Sequence, residues 1–246
     1  MLVNRILKLV VFLFAVSFVI LQGLAYEVEA AATSAAMLVF LTILYARWTE
    51  NKSKYFLWFL LMFTLGHVLG YFSYYVFELR EGELDYFYYG VNMLYILAYA
   101  LLIVKIIRGF NLKTIFLEFP VPIFILVVLD IFCVYIVSGT TENLLEIYEY
   151  VLEFLYNMII MALLSVGLIN YMYRNDTKSM LFLIGSICIV FSEIIQLAYY
   201  YILFEDSALG FIYSFLLVMG FLFFYLQSQL EFTGPEPEYI DDHIEA

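Results

Sequence analysis

Charge is scarce in this 246-residue chain. Only 14% of residues are Asp, Glu, Lys or Arg, against roughly 25% in a soluble domain. That scarcity, with 65% apolar residues and a mean hydropathy of +0.96, leaves too little polar surface to cover a water-soluble globule. Cysteine is equally sparse: Cys133 and Cys188 both lie inside apolar runs, where they read as small inert hydrophobes, so a disulfide scaffold is excluded. Proline appears four times, and only Pro120 and Pro122 touch an apolar run. Basic residues are outnumbered, giving a net charge of −12. This argues against a nucleic-acid partner, whose phosphates call for a basic surface. No Walker motif, zinc signature or Ser-His-Asp order is present, and no metal or cofactor is expected.

What remains is apolar length. Eight membrane helices of about 20 residues would use ~160 residues. The runs fall at about 6–24, 31–48, 55–77, 86–107, 115–138, 147–172, 179–204 and 208–228, joined by short polar connectors. They are too long for barrel strands, and only helices satisfy a spanning backbone in lipid. The reading is an all-α, multi-pass membrane bundle over residues 1–230, followed by a flexible acidic tail over 231–246. The first run also fits a signal peptide ending near "GLA", but its length suits a retained span.

If the spans alternate, one side carries Arg5, Lys8, Arg47, Lys52, Lys54, Lys105, Arg108, Lys113, Arg174 and Lys178, and the other only Arg80. Positive residues stay inside, so both termini are expected in the cytoplasm. Short loops and small size suggest a prokaryotic inner membrane. Many of the 23 tyrosines crowd the outer span ends. Two readings stay open for them: an interfacial belt, or a phenol-lined vestibule for an amphipathic ligand.

Ionisable groups at mid-span are costly and mark candidate sites. His67 lies midway along the third span, Asp130 near the middle of the fifth and Glu193 midway along the seventh. No Lys or Arg lies at that depth, so each acid must accept several hydrogen bonds, carry a proton, or share one with His67. Helical spacing adds polar seams: Thr64, His67, Tyr71 and Tyr74; Tyr88, Asn92, Tyr95 and Tyr99; Glu146, Glu149, Glu153 and Asn157; Ser186, Glu193, Gln196 and Tyr200. Such seams avoid lipid and should converge inside the bundle. Glu193, His67 and Asp130 are the expected catalytic set, with Asn92, Tyr95, Asn157, Glu153, Gln196 and Ser192 around the cavity. Asn92 and Asn157 also fit simple helix cross-links, and His67 fits a satisfied core residue. The glycines of "GHVLG" form a small-xxx-small pattern that would let backbones approach.

Eight spans with tiny loops, together with Gly66-His67 in the third and Ser192-Glu193 in the seventh, give a layout that resembles the YhhN-like, or lysoplasmalogenase, family. There a Gly-Asp pair and a Ser-Asp pair occupy these places. The resemblance implies hydrolysis of a vinyl ether bond in a lysolipid, with Glu193 as acid and His67 as base. Because both pairs are altered here, it equally implies a member with changed or lost activity. The competing readings are a non-catalytic lipid-binding or sensory bundle and, with fewer supporting features, a transporter or proton pathway. The partners expected are membrane lipids and a lysolipid or other amphiphile.

Overall fold

The computed structural model describes residues 2–50, 52–76, 85–142, 144–203 and 206–231. Every regular element among them is a helix. In chain order these are α1 (Leu2–Gly23), α2 (Glu27–Trp48), α3 (Lys54–Ser73), α4 (Tyr86–Ile107), α5 (Leu112–Glu118), α6 (Pro120–Gly139), α7 (Ile147–Arg174), α8 (Thr177–Tyr201) and α9 (Ser207–Ser228). All but α5 are long and apolar enough to cross a membrane. Residues 232–246 of the acidic tail, Arg80, and the loop acids Glu78, Glu81, Glu83 and Glu205 lie outside the described residues.

Two of the boundaries that differ from the hydropathy reading have a clear local reason. The expected fifth span breaks at Phe119, whose φ of −120° and ψ of 37° leave the helical region. Pro120 disfavours a helical residue before it and has no N–H to give α5, but suits the first position of α6. The span is therefore Pro120–Gly139, preceded by a seven-residue helix capped by Asn111. The second span starts at Glu27, not 31, because Glu27 and Glu29 sit in the first turn of α2, where the helix dipole favours acids.

Packing runs α1 to α2, α3, α4, α7, α8, α9 and back to α1, closing a ring of seven helices. Helix α6 lies outside the ring against α7, with α5 beside it. The outward face of α6 is apolar and exposed, as at Phe124, Val128 and Phe132, as suits acyl chains. Helices α8 and α9 pack closely through a pair of glycines. A Cβ on Gly185 would stand 2.7 Å from the Phe224 ring and 3.3 Å from the Gly220 carbonyl, and Gly220 meets Gly185 O at the same 3.3 Å. The small-residue contact thus lies here and not at "GHVLG", where Gly70 faces open space.

Charges divide between the two ends. Arg47, Lys105 and Arg174 fall in the last turns of α2, α4 and α7, at one end. At the other, Glu27 and Glu29 open α2, Asp85 caps α4, Glu146 and Glu149 form the capping box of α7, and Asp206 caps α9. The asymmetry therefore has a local component, since acids satisfy free N–H groups and cations suit helix C-termini. Toward the basic end the ring is filled by aromatics. Phe59 contacts Phe221 and Phe224 at centroid distances of 5.7 and 5.9 Å, and Phe182 meets Phe224 at 5.2 Å. Toward the acidic end the ring is hollow.

Candidate functional site

The hollow half holds a cavity of about 470 Å³. The three-to-four-residue spacing of its polar side chains turns each seam inward. Helix α3 supplies His67; α4 supplies Tyr88, Asn92 and Tyr95; α7 supplies Glu153, Tyr156 and Asn157; and α8 supplies Glu193, Gln196, Tyr200 and Tyr201. A smaller chamber of about 130 Å³ adjoins it, sharing His67, Tyr95, Gln196 and Tyr200, and extends to Gln22, Glu27, Ser34 and Tyr74.

Tyr99, fully buried below the cavity, donates its hydroxyl to Glu193 Oε1 at 2.5 Å, and Tyr156 stands beside the same carboxyl. Phenols, not a cation, are thus the neighbours of this acid. His67 stacks on Phe63, with centroids 5.2 Å apart, and its Nδ1 lies 3.1 Å from Ser34 Oγ. Ser34 Oγ also lies 2.9 Å from the Ala31 carbonyl. A hydroxyl has one hydrogen, and a carbonyl can only accept it, so Ser34 donates to Ala31 and accepts from Nδ1–H. That fixes the neutral tautomer with its lone pair on Nε2.

Glu153 is only 8% exposed. It accepts from Thr141 Oγ1 at 2.7 Å, while its Oε2 has no partner within hydrogen-bonding geometry. Asn157 gives its amide to Ser138 on α6 at 3.1 Å, so it does cross-link helices. Asn92 instead donates to the Tyr88 carbonyl of its own helix at 2.8 Å and ties nothing across. Gly66 makes room for Tyr95: a Cβ there would stand 2.5 Å from Cε1 of that ring. In the small chamber, burial and the Glu27 carboxylate push the Tyr74 phenol up to about 12, so it stays a neutral donor.

Two expected site residues stand elsewhere. Asp130 is on α6, outside the ring, with its carboxylate oxygens 2.9 and 2.7 Å from Ser165 Oγ of α7. Its helix packs mainly on α7, where Ser165 takes up the carboxylate, and Asp130 is not among the residues lining the cavity. Ser192 is buried against α9 and donates to the Tyr213 carbonyl at 2.8 Å. Adjacent helical residues diverge by about 100°, so Glu193 can face the cavity only if Ser192 turns away. Conversely, the polar seam did not include Tyr156, although it stands three residues after Glu153 and seven after Glu149. Gln22, Glu27 and Ser34 gave no signal, because they come from spans without a mid-depth charge.

The tyrosines divide between two places. Tyr88, Tyr95, Tyr156, Tyr200 and Tyr201 line the cavity, whereas Tyr75, Tyr86, Tyr135 and Tyr148 are exposed on the outside. Among the described residues no three His, Cys, Asp or Glu side chains converge to hold a metal ion. No family model, curated protein or solved structure matches the chain.

Proposed function

We propose that this is a YhhN-like membrane protein that draws a lipid-like amphiphile into the cavity of its hollow half, with the basic end in the cytoplasm of a prokaryotic cell. One observation carries the reading. A cavity of about 470 Å³ joins buried and half-buried polar groups from four helices to apolar side chains such as Phe63, Val91, Leu197 and Leu217. That mixture suits a molecule with one polar and one apolar end. The charge division between the helix ends supports the orientation.

A hydrolytic version is consistent with Glu193 and His67 lining one cavity. Cleavage of a vinyl ether needs a proton delivered to the alkene carbon, which leaves an oxocarbenium ion. Water adds to that ion, and the hemiacetal collapses to an aldehyde and an alcohol. Protonated Glu193 gives the proton. Neutral His67 takes one from the attacking water, and the proton returns to Glu193. Asp130 has no part in this scheme.

The test is incubation of the purified protein with a vinyl-ether lysolipid. Release of aldehyde, lowered at least ~100-fold in Glu193→Gln, is the hydrolytic outcome. Saturable binding without aldehyde leaves the binding function and removes the enzyme. Neither binding nor turnover overturns the proposal.

A further inference from the structure

The cavity is electrically one-sided. Glu153 and Glu193 line the larger chamber and Glu27 the smaller, yet no Lys or Arg side chain lines either among the described residues. His67 is the one group there able to become positive, and its Nδ1 is held by Ser34. An anionic end group would meet two carboxyls and no fixed cation. A cationic end group would meet carboxyls and tyrosine rings, the combination that recognises ammonium nitrogen.

Glu153 gives this a definite place. It is more than nine-tenths buried, and its Oε2 lacks a partner, an arrangement that costs free energy unless something fills it. Asn157, on the next turn, gives one amide hydrogen to Ser138 and also interacts with the Glu153 carboxyl, so neutral partners and no cation surround this acid. Tyr88 and Tyr201 are both close enough to interact electrostatically with Glu153, and both line the same chamber. The surrounding helix ends add Glu146, Glu149 and Asp85, which raise the local concentration of cations.

Building on the amphiphile-binding reading, but not on its hydrolytic version, we infer that the occupant is a cationic amphiphile. Its ammonium nitrogen sits against Glu153 beside the hydrogen-bonded pair Tyr88 and Tyr201, with no phosphate or other anionic group beside it in the cavity.

The test uses the full chain in phosphatidylcholine nanodiscs, titrated with octyltrimethylammonium, octanol, octyl phosphate and octylphosphocholine. The ammonium probe should bind about tenfold more tightly than the other three. Glu153→Gln should erase that preference while leaving octanol binding unchanged, and Asp130→Asn, whose carboxyl lies outside the ring, should keep it. Octyl phosphate or octylphosphocholine binding as tightly as the ammonium overturns the inference and leaves the amphiphile reading standing, as does equal binding of all four. Binding of none of the four removes the amphiphile reading itself, and the inference with it. If Glu153→Gln does not fold, the ranking of the four probes on the unaltered protein decides alone.

Discussion

The two halves of the bundle use the same residue types to opposite ends. Toward the basic termini, Phe56, Phe59, Phe182, Phe221 and Phe224 are all less than 3% exposed and interlock ring on ring. Toward the acidic termini, aromatics of similar size line a cavity instead, and most of them are tyrosines. A phenylalanine has no polar atom to satisfy and fills space. A tyrosine carries a hydroxyl that must find a partner, and it is stable beside a polar, hydrated void. The difference teaches that close-packed apolar rings occupy one half of this molecule, while the costly polar side chains gather around open volume in the other.

That contrast can be broken by substitution, and the largest effect should come from the packed half. Phe59→Ala removes a ring in contact with Phe56, Phe63, Tyr99, Phe221 and Phe224. It should cost about 3–5 kcal/mol, seen as a large fall in the melting temperature of the detergent-solubilised protein. Asn92→Ala in the hollow half deletes only a bond to its own helix and should cost under about 1 kcal/mol. Equal losses would erase the distinction.

Glycines sharpen it further. Gly185→Ala drives a methyl into the fully buried Phe224 ring and the Gly220 backbone, with a cost of about 1–3 kcal/mol. Gly66→Ala makes an even closer clash, with Tyr95, but that ring borders open volume and can swing into it. Its stability loss should be the smaller of the two, while amphiphile binding weakens because the cavity shrinks. Parallel melting and binding curves for the two variants check this.

Much of the fold was legible because membrane thickness sets helix length and hydropathy reads it directly. The mid-depth acids were equally legible, since their cost in hydrocarbon does not depend on tertiary detail. Which of them share a cavity was not legible. Asp130 looks like Glu193 in a linear reading, and only the placement of α6 outside the ring separates them. Ser192 was misjudged for want of helix phase, which a pair of adjacent residues cannot supply. The "GHVLG" pattern did not mark a backbone approach: Gly66 makes room for the ring of Tyr95, one helix away and unknowable from spacing, and Gly70 faces open space. The break before Pro120 could have been read from "FPVP" had local backbone rules outweighed the hydropathy average.

The central claim is that one half of the membrane bundle is hollow and open to water at the acidic end. Single-cysteine labelling in a Cys133→Ser, Cys188→Ser background tests it most directly, with a membrane-impermeant thiol reagent applied from that side of intact vesicles. The account predicts that Asn92→Cys is modified and Leu102→Cys, on the same helix but in the filled half and fully buried, is not. Protection of both positions, or equal labelling of both, would contradict it.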